Sequence, residues 1–435
     1  MKKNEIFTVK CLDVSHDAYG ICSIDNYKVF VKNLLKGEKA KIKIIKVKKN
    51  VAFAIVVELL EESIHRISHC SVSNKCGGCP YSMMDYQSQL QLKENRLKQC
   101  ISQIAKLDLE VENIIASPEI YRYRNKVSVP VRDGKVGFYR SHSNDIVEFD
   151  DCLVQTKLSN SILKKVEEII KELKISHLFK HILIKHAHNS NEVMLVLVVK
   201  DLNILHLDEL IKEISSFEEI KTIVLNLNTR EDNVILGDVE KIVFGNGYII
   251  ENLDDLKFRI SSKAFYQINS SQISNLYKLV GEYANLSKDT KVLDLFCGTG
   301  TIGIYLADKV KKVVGVDIVE SAINDAKYNA DLNNLDNVDF ICDDANKAVS
   351  YLKDEHFDLV VVDPPRKGLK EEAIKLITDF EAQEIIYVSC DPATLARDLN
   401  IFKNLGYEVN KIQPVDMFPF TPHVETVVLM SRVEK

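Results

Sequence analysis

The chain has 435 residues, of which 46% are hydrophobic and 28% are charged, and its formal net charge is −6. This length allows two or three domains with sizeable cores, and the composition is typical of a globular protein without a membrane-spanning segment. The ten cysteines and an N-terminus without the apolar stretch of a secretory signal predict a cytoplasmic protein with no disulfide framework, whose cysteines serve metal binding or catalysis.

The first 60 residues form a basic segment, with twelve lysines against six acidic residues, so the rest of the chain carries about −12. Apolar runs separated by Gly20, Asp25-Asn26 and Gly37 predict five short strands within residues 6–59, a pattern typical of a small β-barrel. Residues 41–49 place lysines on one face of a strand and apolar side chains on the other. We expect residues 1–60 to contact RNA through this basic face, the alternative being an ordinary solvated edge strand.

Residues 61–250 predict a central α+β domain. Its first part, residues 65–80, is irregular and rich in Cys and Gly, and a helix within residues 82–110 is expected to pack on the domain that follows. Five strand-like runs then alternate with two amphipathic helices at residues 157–174 and 205–216.

Residues 251–435 alternate apolar strands with helical segments, which predicts an α/β domain with a doubly wound, Rossmann-like sheet. The strand candidates are Lys291–Phe296, Lys312–Asp317, Val338–Cys342, Leu359–Asp363, Ile385–Ser389, Tyr407–Val415 and Thr426–Ser431.

The first of these strands ends in a glycine loop, Leu-Asp-Leu-Phe-Cys-Gly-Thr-Gly-Thr-Ile-Gly, that includes Gly298 and Gly300. The loop matches the dinucleotide pattern G-x-G-x-x-G, and Asp317 after the next strand is placed to bind ribose hydroxyls of either cofactor class. Asp294 just before the loop would repel a pyrophosphate, whereas S-adenosylmethionine (AdoMet) is a cation, so we expect AdoMet and not a nicotinamide. Asp344, after the third strand, is either an adenine contact or a helix N-cap.

Two further strands end in residues suited to chemistry. Asp363 begins an Asp-Pro-Pro-Arg turn at the carboxyl end of its strand, the edge where such sheets bind ligands. Cys390 ends the next strand, directly before Asp391-Pro392 starts a helix. A helix N-terminus lowers the pKa of a thiol, which favours a nucleophile at Cys390 over a packed core thiol.

A second set of cysteines has the spacing of a metal site. Cys70, Cys76 and Cys79 form C-x5-C-x2-C, and Cys152 could complete four ligands. The spacing alone fits zinc and an iron–sulfur cluster equally well.

The blocks L-D-L-F-C-G-T-G, V-D-P-P-R-K-G, Y-V-S-C-D-P-A-T-L-A-R-D and F-P-x-T-x-H-V-E-T-V resemble those of the RNA uracil-5-methyltransferase family, in particular the bacterial 23S rRNA (uracil-5)-methyltransferases. The resemblance covers the whole chain and implies a TRAM-type (OB-like) barrel at its start. It implies that Cys390 adds to C6 of uracil, that Glu425 removes the C5 proton, and that Asp363 positions the uracil or cofactor.

The resemblance further implies AdoMet contacts at Gln267, Phe296, Asp317 and Asp363; Phe296 stands where many family members have tyrosine. It favours a [4Fe–4S] cluster on Cys70, Cys76, Cys79 and Cys152, with zinc as the alternative. The expected substrate is RNA, most specifically 23S rRNA, with no membrane and no required protein partner. The alternatives are a tRNA uridine-5 enzyme, an RNA cytosine-5 enzyme and an RNA-binding protein without catalysis.

Overall fold

A computed structural model describes residues 1–68, 70–352 and 355–433. Within these residues the α-helices are α1 (Tyr86–Cys100), α2 (Lys157–Glu172), α3 (Leu207–Ile214), α4 (Ser270–Tyr283), α5 (Thr301–Leu306), α6 (Glu320–Leu332), α7 (Ala345–Leu352), α8 (Glu371–Thr378) and α9 (Pro392–Asn404). A π-helical turn spans Ile101–Ala105, and 3₁₀ turns span Ser176–Leu178 and Ala307–Lys309. In the part of the chain that is described, no helix combines the length and the apolar character needed to cross a membrane.

The strands of the first half are β1 (Ile6–Lys10), β2 (Asp13–Val14), β3 (Tyr19–Ile24), β4 (Tyr27–Lys32), β5 (Lys39–Val47), β6 (Val51–Glu61), β7 (Lys126–Arg132), β8 (Lys135–Val136), β9 (Phe138–Tyr139), β10 (Ile146–Val147), β11 (Phe179–Ala187), β12 (Glu192–Val199) and β13 (Ile220–Leu227). Those of the second half are β14 (Val239–Gly245), β15 (Tyr248–Leu253), β16 (Leu256–Ser261), β17 (Lys291–Leu295), β18 (Lys312–Asp317), β19 (Val338–Cys342), β20 (Leu359–Val362), β21 (Glu384–Ser389), β22 (Tyr407–Val415) and β23 (Glu425–Arg432).

The chain divides by contacts into two units. Unit 1 comprises Met1–Arg96, Phe138–Val147 and Phe418–His423, and unit 2 comprises Leu97–Gly137, Glu148–Met417 and Val424–Lys435. Because this division groups residues by packing alone, it does not test the three domains predicted from the sequence. Their boundaries stay predictions.

Unit 1 contains a curled six-stranded sheet, a half-barrel, with the strand order β1-β5-β6-β4-β3-β2. Buried and exposed side chains alternate along β5: Ala40, Ile42 and Ile44 are fully buried, while Lys41 on the opposite face is exposed. One face of the sheet therefore curls around a core. The small barrel predicted for the first 60 residues is therefore an open half-barrel.

Unit 2 contains a mixed six-stranded sheet in the order β14-β13-β12-β11-β7-β8, in which only the pair β12–β13 is parallel. Helix α2 begins at an N-cap, Thr156, whose side chain accepts a hydrogen bond from the Ser159 N–H. This sheet contains four of the five strands expected in the middle of the chain. The fifth, expected over residues 135–140, is divided between β8 of this sheet and β9, which pairs with β10 in a separate sheet. Strand β14 was not predicted.

Unit 2 also contains a seven-stranded sheet in the order β19-β18-β17-β20-β21-β23-β22. Strands β17 to β21 are parallel, and β23 runs antiparallel to both of its neighbours. Its central strands are buried along their whole length because helices cover both faces, and Leu97 and Ile101 join this core. The predicted doubly wound α/β sheet is confirmed, and its strands switch direction of progression between β17 and β20, where such sheets bind ligands.

Candidate active site

Three chemically active side chains lie at one edge of the seven-stranded sheet. Asp363 and Cys390 directly follow the carboxyl ends of the adjacent parallel strands β20 and β21. Glu425 begins β23, which is antiparallel, so its first residue lies at the edge where β21 ends. The register pairs Ser389 with Thr426, and this places Cys390 beside Glu425. The sheet thus brings together the three residues predicted to be catalytic.

The two carboxyls hold protons unusually tightly. Glu425 is 2% exposed, and burial, with the charge of Asp363, raises the pKa of its carboxyl well above the ordinary value. Removal from bulk water raises the pKa of Asp363 to about 7. The negative charge of Asp363 thus opposes ionisation of Glu425. A carboxyl with a raised pKa is a suitable acceptor for a carbon-bound proton.

The pKa of Cys390 differs from the expectation. Burial, together with the charges of Glu425 and Asp363, raises the pKa of this thiol to about 12, against the opposing effect of Arg366. The helix N-terminus does not compensate, because the Asp391 side chain caps it by accepting the N–H groups of Ala393 and Thr394. The predicted lowering by the helix was therefore wrong, and the thiol requires a change in its surroundings to ionise.

The sequence analysis missed Arg366 as a functional residue. Its positive charge acts on Cys390 and Glu425 at once and lowers both pKa values. The signal was present in the sequence, since Arg366 directly follows the two prolines of the Asp-Pro-Pro turn.

Helix α9 holds the loop of Asp363 in place. The Thr394 hydroxyl donates to the Arg366 carbonyl at 3.2 Å, and Arg397 donates to the carbonyls of Lys367 and Leu369 at 2.9 and 3.0 Å. Asp398, which is fully buried, accepts from the Leu369 N–H at 2.8 Å and from the Tyr387 hydroxyl at 2.7 Å. The helix that starts after Cys390 thus fixes the loop that starts at Asp363.

The glycine loop after β17 forms a second part of the site. Asp317 Oδ2 accepts the Gly298 N–H at 3.0 Å, and its Oδ1 accepts the Val319 N–H at 2.8 Å. A Cβ on Gly298 would meet no atom within 4 Å, whereas one on Gly300 would lie 2.5 Å from the Phe340 ring. Gly298 therefore borders open space that a ligand could fill, and Gly300 permits close packing beneath it.

Other predicted cofactor residues surround this loop. Phe296 has φ 64°, a left-handed conformation that is strained for an aromatic residue and is typical of ligand sites. Gln267 is buried, and its carbonyl accepts from the Asn125 side chain at 2.8 Å. Asp344 lies directly before α7, a position that suits both an N-cap and a ligand contact, so its role stays a prediction.

Asp294 is buried below the glycine loop. Its Oδ2 accepts the Gly303 N–H at 3.0 Å, while its Oδ1 has no hydrogen-bond partner among the described residues. Burial raises the pKa of this carboxyl to about 8, and the charges of Asp363 and Asp317 act in the same direction. An unpartnered buried carboxylate oxygen is suited to a cationic ligand.

We expect Asp294→Asn to change how stability depends on pH. The native protein keeps a proton on Asp294 that the unfolded chain releases, so this group's contribution to the free energy of unfolding is lost as pH rises from 3.8 to about 8. Asparagine does not ionise, so the free energy of unfolding of the variant should rise relative to that of the wild type as the pH increases from 3.8 to about 8. Urea unfolding of the ligand-free proteins at several pH values measures the difference. Asp289→Asn, at an exposed position, is the control. The prediction would be contradicted if the difference in the free energy of unfolding between Asp294→Asn and the wild type did not change with pH.

The four cysteines predicted as metal ligands are all partly buried, and none of them forms a disulfide with another described cysteine. The Gly78 N–H donates to Cys76 Sγ at 3.4 Å within the C-x2-C turn. Searching residues 1–68, 70–352 and 355–433, we find no three His, Cys, Asp or Glu side chains arranged to hold a metal ion.

Two of the basic residues in the middle of the chain have internal roles. Arg122 pairs with Asp151 at 2.6 Å and donates to the Cys152 carbonyl at 2.9 Å. Burial lowers the pKa of Lys126. Neither residue behaves as part of a solvated basic surface.

Comparisons with known proteins agree with this arrangement. A family model described as tRNA (Uracil-5-)-methyltransferase matches residues 85–433, and a TRAM domain model matches residues 2–57. An "uncharacterized RNA methyltransferase" of Clostridium acetobutylicum is 41% identical over 100% of this chain and 99% of its own length. Another, of Bacillus cereus, is 41% identical over 100% of this chain and 98% of its own.

A solved structure is similar over nearly the whole chain. It is that of the Pyrococcus abyssi tRNA (uracil-54, C5)-methyltransferase in complex with S-adenosyl-L-homocysteine, with a TM-score of 0.80 and 30% identity, covering 97% of this chain and 99% of that one. The predicted fold class, a TRAM half-barrel with a Rossmann-like methyltransferase sheet, is confirmed. The chain therefore belongs to the RNA uracil-5-methyltransferase family.

Proposed function

We propose that this protein transfers a methyl group from AdoMet to C5 of a specific uridine in 23S rRNA. The observation that carries the proposal is the meeting of Cys390, Glu425 and Asp363 at one sheet edge, where each carboxyl acts on the thiol. A buried thiol with two carboxyls of raised pKa is the set of groups that covalent activation of a pyrimidine needs.

In the proposed reaction the Cys390 thiol gives its proton to solvent water, and its sulfur bonds to C6 of the uracil while the electrons of the C5–C6 double bond move into an enolate at the C4 oxygen. This addition makes C5 nucleophilic, and bound AdoMet would supply the methyl group that C5 takes. Glu425 then accepts the proton from C5, the C6–S bond breaks, and Cys390 leaves as the thiolate. Arg366 favours the thiolate by its charge, and Asp363 positions the base next to the sulfur.

The residues of the glycine loop fit AdoMet. The unpartnered Oδ1 of Asp294 gives the site negative character below the loop, and Gly298 leaves space for a ligand. Asp317 and the strained Phe296 lie where the ribose and adenosine of such a ligand are expected, with Gln267 and Asp344 as further contacts.

Mapping of modified nucleosides tests the choice of RNA. We expect mass spectrometry of RNA from cells lacking the gene to show loss of 5-methyluridine from 23S rRNA, with tRNA unchanged. The motif resemblance favours rRNA, whereas the similar Pyrococcus abyssi enzyme, a tRNA (uracil-54, C5)-methyltransferase, makes a tRNA uridine the second candidate. Loss from tRNA alone would contradict the rRNA proposal, and loss of 5-methylcytidine would identify the cytosine alternative.

As a separate proposal, we infer that a [4Fe–4S] cluster is held by Cys70, Cys76, Cys79 and Cys152. It is supported by the C-x5-C-x2-C spacing and by the N–H···S bond to Cys76, but not by the positions of the side chains. We assign it no step in the reaction. Iron, acid-labile sulfide and zinc measured on anaerobically purified protein separate a cluster, a zinc site and free thiols.

A further inference from the structure

Unit 1 contains a cleft of about 900 Å³ between the half-barrel, the C-x2-C turn and the loop that joins β9 to β10. It is lined by Asp17, Ala18, Tyr19, Lys32, Asn33 and residues 73, 76–80, 82, 138–144 and 422. This volume is in the range of pockets that hold small molecules. None of its lining residues belongs to the candidate active site, but two of them, Cys76 and Cys79, are among the four proposed cluster ligands.

The walls of the cleft are joined by hydrogen bonds between segments far apart in sequence. The Gly77 N–H donates to the Tyr139 carbonyl, and the Ser141 N–H donates to the Lys75 carbonyl, both at 3.1 Å. The hydroxyl of Tyr19 lies 3.0 Å from Nε2 of His142 and so links the half-barrel to the hairpin loop. The cleft is therefore preformed.

Three wall residues other than glycine adopt left-handed backbone conformations. Ala18, Asn33 and His142 have φ of 62°, 59° and 60°. Such conformations are unfavourable for residues with a Cβ, least so for Asn and His, and they cluster at ligand-binding sites. Their grouping around one cavity points to a binding role for the cavity.

The charges of the cleft suit an anion. Lys32 and Arg140 both line the cleft, so two cations face one space. Burial lowers the pKa of Lys32, and so does the nearby charge of Arg140. No carboxylate pairs with Lys32 among the described residues, and Arg140 has only an exposed, 3.9 Å contact with Asp145. The lining carboxylate, Asp17, lies 3.3 Å from Nε2 of His16. A phosphate would be held by both cations.

The cleft also offers aromatic faces beside these cations. Tyr139 is 41% exposed, and Tyr19, whose edge packs on Phe53 with ring centroids 6.4 Å apart, stands opposite on the half-barrel. Exposed rings next to cations are typical of proteins that bind single-stranded nucleic acid, because bases stack on the rings while phosphates meet the charges.

We propose that this cleft binds one unstacked nucleotide of the RNA substrate, distinct from the uridine that is methylated, with its phosphate on Lys32 and Arg140 and its base on Tyr139. The proposal rests on RNA being the substrate. It gives the TRAM unit a role in choosing among RNA sites, since only an RNA whose second nucleotide can leave its stack would be held at both places.

Three variants test the cleft by RNA binding and by methylation kinetics. We expect Tyr139→Ala and Arg140→Ala each to raise Kd and KM for the substrate RNA about tenfold, with kcat within about twofold of the wild type. Lys28→Ala is the matched control, because Lys28 is exposed on β4, the strand of Lys32, but does not line the cleft. Its effect on Kd should be clearly smaller and shared with non-specific RNA.

Ultraviolet cross-linking followed by peptide mass spectrometry locates the nucleotide. A cross-link from residues 138–144 to a nucleotide other than the methylated uridine supports the proposal, and cross-links confined to other segments overturn it. The proposal is also overturned if Tyr139→Ala and Arg140→Ala both leave the Kd for the substrate RNA unchanged. It is likewise overturned if these variants change the metal content of the protein without changing that Kd. Fluorescence anisotropy requires no methyl transfer, so failure to methylate any RNA would refute the proposed function while leaving the binding test of the cleft intact.

Discussion

Replacement of Cys390 by alanine is expected to abolish methyl transfer, with a loss of at least about a thousandfold in kcat, because without the sulfur C5 is not activated. The substitution removes a partly exposed side chain at a strand end, so the fold should survive. Transfer of radiolabelled methyl from AdoMet to RNA measures the effect, and circular dichroism verifies the fold.

The control is Cys100→Ala, a partly buried thiol at the end of α1 that lies outside the site. Its activity should match the wild type. Retention of turnover by Cys390→Ala would remove covalent catalysis from the proposal. Because the pKa of the thiol is about 12 in the absence of substrate, alkylation of Cys390 by iodoacetamide should be slow at pH 7 and should accelerate as the pH rises.

Glu425→Gln is expected to trap RNA on the protein. Glutamine preserves the size of the side chain but accepts no proton, so C5 would be methylated and would keep its hydrogen. The C6–S bond would then have no route to elimination, and a covalent complex stable in denaturing gels should accumulate only when AdoMet is present.

The double variant Cys390→Ala/Glu425→Gln provides the control, since it lacks the sulfur and should form no adduct. An adduct in the double variant would show that another nucleophile reacts, and normal turnover by Glu425→Gln would assign the proton to another base. In the wild type the base must be ionised to act, and its raised pKa means that activity should fall on acidification at a higher pH than an ordinary glutamate would require.

The sheet that carries the site was predictable because its strands are apolar runs bounded by turn residues. The bounds of β18, β19 and β22 agree with the prediction to the residue. Strand β18 lies inside the sheet and its four middle residues are buried, whereas β19 and β22 are the two edge strands and have exposed positions as well. Strand β14 was missed for the opposite reason. Nearly all its side chains are exposed at the edge of its sheet, and its apolar residues, which include Val239, Ile242 and Phe244, do not alternate with polar ones as in a half-buried strand.

The identity of the catalytic residues was predictable from their motifs, whereas the electrostatics of the site was not. The prediction for Cys390 used only its neighbours in sequence, the start of a helix. The thiol instead responds to Glu425, 35 positions away in the numbering, which pairing of β21 with β23 brings beside it. The Asp391 side chain caps the helix and so removes the expected lowering of the pKa of Cys390. This interaction depends on a side-chain rotamer and not on composition.

The hydrogen bonds from α9 to the loop after Asp363 have a consequence for how the enzyme discriminates between bases. Because Thr394, Arg397 and Asp398 join the thiol-bearing segment to the proline turn, sulfur and carboxylate keep a constant spacing before any RNA arrives. The catalytic groups are then already assembled before the substrate binds. The enzyme therefore does not reject a mismatched base through failure of the catalytic groups to assemble. Selectivity must act earlier, on whether a nucleotide is extruded from its helix and admitted at all.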